Sequence, residues 1–277
     1  MSVIGDLKDS RGLLVNLTLR EVRGKYKRTL LGQGWSLLNP IAVLLIYSLV
    51  FGFVLRVPVP VGAPSGLQTF PLYLACGLLP WTFFSNSVTG GMGALIANAN
   101  LLNKVYFWRP VLVASSVFSW DVTFSIELLV LMAALLIAGS MPLPWLPLLI
   151  LAVVLLTVFA LGIALMLSIA NVYFRDTQHF VNIGMQLWFY ATPIVYPYSL
   201  IQDQAARMRA SGNGFPLEML YRLNPMERFI SVFRSMLYDN AFPHWGDMLF
   251  CVVVAVVSLL LGVTVFTRSQ HRLVEEL

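Results

Sequence analysis

The 277-residue chain is 58% hydrophobic and only 11% charged, with a mean hydropathy of +0.78, whereas soluble domains carry roughly 25% charged residues. That composition excludes an ordinary soluble domain and points to a membrane protein with several spans and short loops. The formal charge of +5 matters through its placement: Lys8, Arg11, Arg20, Arg23, Lys25, Lys27 and Arg28 crowd the N-terminus, a membrane-orientation signal before it is a nucleic-acid one.

Residues 10–31 read as an amphipathic helix lying along the membrane face. At roughly 100° per residue, Val15, Leu19, Val22, Tyr26 and Leu30 form an apolar stripe, with Asn16, Arg20, Arg23 and Lys27 beside it. This pattern suits the headgroup boundary of anionic lipid, and a positive-inside anchor is its plainest reading. The first apolar run begins near Leu37, without the compact pattern of a cleaved signal peptide before it.

A first span is expected at about 37–55 and, after an uncharged Pro- and Gly-rich connector, a second at about 70–88. The second carries Trp81, Phe83 and Phe84, and the small residues at 89–93 are expected to end it. Residues 96–110 are too few to cross a bilayer and read as a loop helix. The third span, about 111–138, contains Asp121 and Glu127. They lie about 120° apart, so they are not a paired acid/base site. Ser115, Ser119, Thr123 and Glu127 share a face expected to pack on protein. Intramembrane acids are functional candidates by default, and a hydrogen-bonded structural role is an equal alternative here. The fourth span is expected at about 145–170, and the buried position of Cys76 and Cys251 in apolar runs argues for thiols rather than a disulfide.

The stretch NVYFRDTQHFVNIGMQLWFYATPIVYP (171–197) organises the chain. Arg175 and Asp176 mark an aqueous turn, and a fifth span of membrane length is expected after it. That span carries Asn182 and Gln186, although an unpaired polar group in hydrocarbon costs several kcal/mol, so it should face protein or a water-lined path. Asn182, Gln186 and Phe189 fall within about 60° of one another, with Tyr190 just beyond. Amides beside aromatic faces suit a sugar path, yet Trp and Tyr also collect at membrane interfaces for structural reasons; both readings stand. Residues 197–245 are neither a clear span nor a clear soluble loop. Within them Asn224-Pro225-Met226-Glu227 reads as a helix start, with Asn224 as N-cap and Glu227 placed to close a capping box. Met226, Phe229, Ile230, Phe233 and Leu237 share one face of a helix too short to span. The last span is expected at about 248–266.

The expected fold class is therefore an all-α membrane protein of six transmembrane helices with an N-terminal amphipathic interface helix. Its divisions are a cytoplasmic region at 1–36, the transmembrane domain at 37–267 and a cytoplasmic tail at 268–277. Twelve Lys and Arg fall on the side of the termini and six opposite, which favours both termini cytoplasmic. Five of those six (Arg207, Arg209, Arg222, Arg228 and Arg234) sit in the 197–245 segment, the one dissonant count.

No phosphate-cradling G-x-x-x-x-G-K-[ST] loop occurs. His179, His244 and His271 are scattered, without a Cys or carboxylate at ligand spacing, so no metal site is expected. No Ser-His-Asp set suggests itself. The chain reads as catalytically empty, with no cofactor of its own and no nucleic-acid partner expected.

Five stretches, in order, resemble the membrane subunits of ABC-2 type exporters, especially those for lipid-linked polysaccharides such as O-antigen, galactan and teichoic acid precursors. They are LREVRGKYKRTLLGQGWSLLNP (19–40), GLLPWTFFSNSV (77–88), NLLNKVYFWRP (100–110), the 171–197 stretch and LNPMERFISVFR (223–234). The resemblance implies a homodimer in a bacterial plasma (inner) membrane, paired with two copies of an ABC ATP-binding subunit that carries ATP and Mg. It implies export of a polyprenyl-pyrophosphate-linked polysaccharide, with Arg20, Arg23 and Lys27 meeting the headgroup phosphates. Asn182, Gln186, Trp188, Phe189, Tyr190 and Tyr196 would line or gate the path. A coupling helix at about 98–108 would dock on the ATPase through Asn100, Leu101, Leu102, Lys104, Val105, Tyr106 and Phe107, and residues 193–240 would hold short re-entrant periplasmic gate helices. The family more often has Pro-Arg-Glu where this chain has Trp108-Arg109-Pro110, which alters the fine contacts of the docking surface. The alternative function is an ABC-2 exporter of a small hydrophobic drug or lipid, against which the amides of the fifth span speak.

Overall fold

The computed structural model describes residues 11–25, 27, 30, 32–102, 107–211 and 215–269. Regular structure among them is helical throughout. Helix α1 (Arg11–Lys25) is followed by α2 (Trp35–Tyr47), which continues through π-helical turns over Ser48–Val54. Next come α3 (Phe70–Ala97), the single turn α4 (Ala99–Leu102), α5 (Pro110–Ile137) and α6 (Leu146–Tyr173). Helix α7 (Thr177–Tyr190) leads into three shorter helices, α8 (Tyr198–Ala210), α9 (Leu217–Arg222) and α10 (Pro225–Arg234), before α11 (Trp245–Ser269).

Three helices among the described residues are long and apolar enough to cross a membrane: α5, α6 with the turn before it (Leu143–Tyr173), and α11. Their largely apolar lengths let the backbone groups of the helix interior bond within the helix, as hydrocarbon requires. Helix α3 has the same 28 residues as α5 but occupies the centre of the bundle. It packs on α5, α6, α7 and α10, so its composition answers to protein neighbours rather than to lipid.

Stacked rings tie this centre together. Phe83 of α3 lies on Phe124 of α5 (4.7 Å, 13°), and Phe84 lies on Phe159 of α6 (5.2 Å, 7°). Phe159 continues to Phe229 of α10 at 5.5 Å. A second cluster at the other end of α3 gathers Leu95, Leu102, Val111, Leu112, Ile169 and Phe266 around Leu17 of α1.

The structure changes several expectations. The small residues at 89–93 do not end the second span, because α3 runs on to Ala97. The glycines serve close packing instead: a Cβ on Gly91 would lie 2.7 Å from the Ala164 Cβ, and one on Gly90 would lie 2.9 Å from Trp120 Nε1. Helix α7 has 14 residues, about 21 Å at 1.5 Å per residue, short of a hydrocarbon core of roughly 30 Å. The segment expected as the fifth span is thus helical over only part of its length. It breaks after Tyr190 into a turn that contains Pro193, whose ring cannot donate to a continuing helix. Helix α1 turns its Leu17 to the protein, while Val15 and Leu19 of the expected apolar stripe face outward.

At α10, Asn224 is the N-cap, its side chain accepting from Met226 N at 3.1 Å, and Met226, Phe229, Ile230, Phe233 and Leu237 are all buried. The capping box does not form. The Asn224 N–H donates to Tyr221 O, and the Glu227 carboxylate turns instead to Arg228, 3.6 Å away.

Candidate functional site

Helices α2, α3 and α7 line an open cavity of about 480 Å³. Asn182, Gln186, Phe189 and Tyr190, grouped by the helical wheel, all line it from α7. Facing them on α3 is a polar stripe that the sequence reading missed: Thr82, Ser85, Asn86 and Thr89. Their i, i+3, i+4, i+7 spacing puts them on one helical face and was the available signal. Thr89 Oγ1 is bonded back to Ser85 O at 2.8 Å. The side-chain amides of Asn86, Asn182 and Gln186 make no hydrogen bond with other described residues, so their donors and acceptors remain for a guest.

Aromatic rings complete the wall. Trp81 sits 5.8 Å from Phe189 between ring centroids, and Tyr47 of α2 is 6.1 Å from Phe189. The lining therefore sets the exposed Tyr190 ring, backed by the buried Trp81 and Phe189, beside neutral donors and acceptors, which suits a ligand carrying hydroxyls at its edges and C–H groups on its faces.

Trp188 and Tyr196 are not among its lining residues. Trp188 packs edge-on to Trp81 and Phe84, and its Nε1–H donates to Asn224 Oδ1 at 2.8 Å. The Tyr196 hydroxyl donates to Tyr190 O at 2.8 Å and lies 3.3 Å from the Tyr221 hydroxyl. Both residues brace the turn that follows α7.

Arg234 of α10 grips the same turn. Buried, it donates from Nη1 to Pro193 O (2.7 Å) and from Nη2 to Ile194 O (2.6 Å), and its guanidinium carbon lies 3.9 Å from the Tyr73 ring centroid. Arg228 pairs with Asp247, Arg209 with Glu218 at 2.7 Å, and Arg222 donates to the Tyr198 hydroxyl. Four of the five arginines behind the dissonant charge count thus serve local structure, which lowers their weight as an orientation signal.

The basic residues of α1 and its sequel also come together. Arg20, Arg23 and Lys27 line a groove of about 520 Å³ with Asn16, Leu19 and Gly24. Arg20 reaches Asn98 Oδ1 at 2.5 Å, tying α1 to the end of α3. Of the expected coupling segment, Asn100 is exposed, Leu102 is buried, and Leu101 and Phe107 pack on the same cluster. Lys104, Val105 and Tyr106 lie outside the described residues.

On α5, Ser115, Ser119, Thr123 and Glu127 are all buried, as expected of a protein-facing side. Asp121 accepts a hydrogen bond from Thr157 Oγ1 of α6 at 3.3 Å, in keeping with the structural alternative for that acid.

A helical bundle that combines membrane-crossing helices with a neutral, hydroxyl- and amide-lined cavity has the build of a membrane transport component. The family model described as ABC-2 type transporter matches residues 13–238, and the chain belongs to that family. It is similar to the O-antigen export system permease protein RfbA of Myxococcus xanthus, 33% identical over 276 residues and 99% of each chain. It is also similar to a protein of the same name from Klebsiella pneumoniae, 29% identical over 95% of this chain and 94% of the relative. The polysialic acid transport protein KpsM of Escherichia coli is 23% identical over 93% of each.

Proposed function

We propose that this chain is the membrane-spanning subunit of an ATP-driven exporter that moves a polyprenyl-pyrophosphate-linked polysaccharide from the cytoplasm to the outer face of the inner membrane. The α2–α3–α7 cavity carries this reading. A greasy drug or lipid has no use for six uncharged polar side chains, whereas a sugar ring can bond to the amides and stack on the exposed Tyr190 ring. Relatives named for O-antigen export and polysialic acid transport, aligned over nearly the whole chain, support a polysaccharide.

In this reading six spans come from α2 with its π-helical extension, α3, α5, α6, α7 together with the turn after it, and α11, with both termini cytoplasmic. Helices α8 to α10 form the outer gate. Two copies pair through the apolar faces that α2 and α7 leave exposed beside the cavity, such as Leu45, Ile46 and Leu49 on α2 and Ile183 and Leu187 on α7. Arg20, Arg23 and Lys27 hold the phosphates of the lipid headgroup by charge-assisted bonds. The segment 98–108 docks on two ABC ATP-binding subunits that bind ATP and Mg. Depleting the chain in cells should trap lipid-linked glycan in the cytoplasm and strip it from the surface. Normal surface glycan with an unchanged cytoplasmic pool would overturn the proposal.

A further inference from the structure

None of the described residues lining the α2–α3–α7 cavity carries a charge. Two buried cations of the bundle are engaged elsewhere. Arg234 holds the carbonyls of Pro193 and Ile194, and Lys25 Nζ lies 3.3 Å from the centroid of the Trp120 ring.

This lining treats neutral and anionic sugars differently. A hydroxyl donates and accepts, so it can use both ends of the Asn86, Asn182 and Gln186 amides. A carboxylate only accepts, so it leaves their carbonyl oxygens unmatched and brings negative charge towards them. Where it displaces water from the amides, it finds no cation among the described lining residues to replace that hydration. The face of the exposed Tyr190 ring carries the negative side of the ring quadrupole, which attracts C–H edges and cations and repels an anion. The charged end of a lipid-linked glycan has a separate place, the groove of Arg20, Arg23 and Lys27.

We infer that the cavity selects a neutral glycan over one whose repeating units carry carboxylates, an inference that rests on its being the sugar path. Asn86, Asn182 and Gln186 are then specificity-determining residues, and a cation placed among them shifts the preference towards acidic sugars.

The test uses the purified full-length chain in detergent, titrated at neutral pH with a galactose pentasaccharide and with the matching galacturonate pentasaccharide, which replaces each C6 alcohol by a carboxylate. Trp81 fluorescence is the readout, with Trp81→Phe identifying its share of the signal. The galactose oligomer should bind at least about tenfold more tightly than the galacturonate oligomer. Gln186→Lys should narrow or reverse that ratio. Gln186 is exposed on α7, so the change does not disturb the core, and the equally exposed Asn182→Lys gives an independent second reading. Equal binding of both oligomers to the unaltered chain, or a ratio unmoved by both lysines, overturns the charge selection and leaves the sugar path standing. Failure of both oligomers to bind a chain that retains its helical circular dichroism overturns the sugar path itself.

Discussion

The indole of Trp188 and the carboxamide of Asn224 form the joint between α7 and α10. Asn224 Oδ1 accepts from Trp188 Nε1 (2.8 Å) and from Met226 N (3.1 Å), while Nδ2 donates to Thr192 Oγ1 (2.9 Å) and Ala191 O (3.2 Å). One side chain therefore caps one helix and fastens the end of another.

Asn224→Ala should destabilise the protein by about 2–4 kcal/mol, combining a lost cap with a stranded indole N–H. Asn224→Asp should fall between, since it keeps both acceptor contacts and loses both donations. Thermal unfolding in detergent measures the order. Equal midpoints for all three proteins would show that the joint contributes nothing.

Helices α6 and α11 cross at Gly162 and Gly262, so close that a Cβ on Gly262 would overlap the Gly162 carbonyl. Small residues allow such approach, and in a membrane the packing itself drives association. Gly262→Val should cost about 3 kcal/mol or more, because the added atoms meet backbone that cannot move aside. Ser258→Ala, which removes a hydroxyl bonded to Phe159 O and Ala255 O, should cost less than about 1 kcal/mol. Folded yield and unfolding temperature of the two variants check the contrast.

Arg234 replaced by Lys should lose most of the hold on the turn after α7, since an ammonium cannot reproduce a planar fork that reaches two successive carbonyls. A loss of about 2–4 kcal/mol is expected for Arg234→Met, which leaves those carbonyls unpaired. Limited proteolysis at the 191–197 turn should accelerate in both variants. Unaltered cleavage would show that the turn is held by other contacts.

Lys25 supplies a pH dependence. Burial lowers its ammonium from the usual 10.5 to about 7, against the opposing pull of Glu21 and Glu127. The Trp120 ring beneath it also favours the charged form, but Nζ has no hydrogen-bond partner among the described residues, and burial prevails. From about pH 7 to 10.5 the unfolded chain binds the proton that the folded chain has released, so stability rises with pH across that window and is flat for this group below it. The rise should reach about 1–2 kcal/mol, reduced by partial exposure and by the ring contact. It should vanish in Lys25→Met. Unfolding midpoints across the window, compared between the two proteins, decide it.

The long helices α6 and α11 were legible because their central runs carry no charge, and α5 because its apolar length outweighs Asp121 and Glu127. Asn182, Gln186, Phe189 and Tyr190 were legible because amides are costly in hydrocarbon and the helical wheel groups them. The matching stripe of Thr82, Ser85, Asn86 and Thr89 was hidden among aromatic residues and glycines, although its spacing was regular. Trp188 looked like its neighbours, since composition does not say that it turns away to a residue 36 positions later. The short reach of α7 and the tight crossing at Gly162 depend on contacts distant in sequence, which local periodicity does not encode.

The central position of α3 has a consequence for how the protein is made. It is as long as its neighbours, yet it is not among the helices apolar enough to cross a membrane on their own. Hydroxyls, an amide and glycines that suit its place between α5, α6 and α7 weigh against its partition into lipid as a solitary segment during synthesis. In the proposed six-span arrangement its residence in the bilayer would depend on helices that emerge from the ribosome after it, and a chain truncated before α6 should then leave α3 to slip back out.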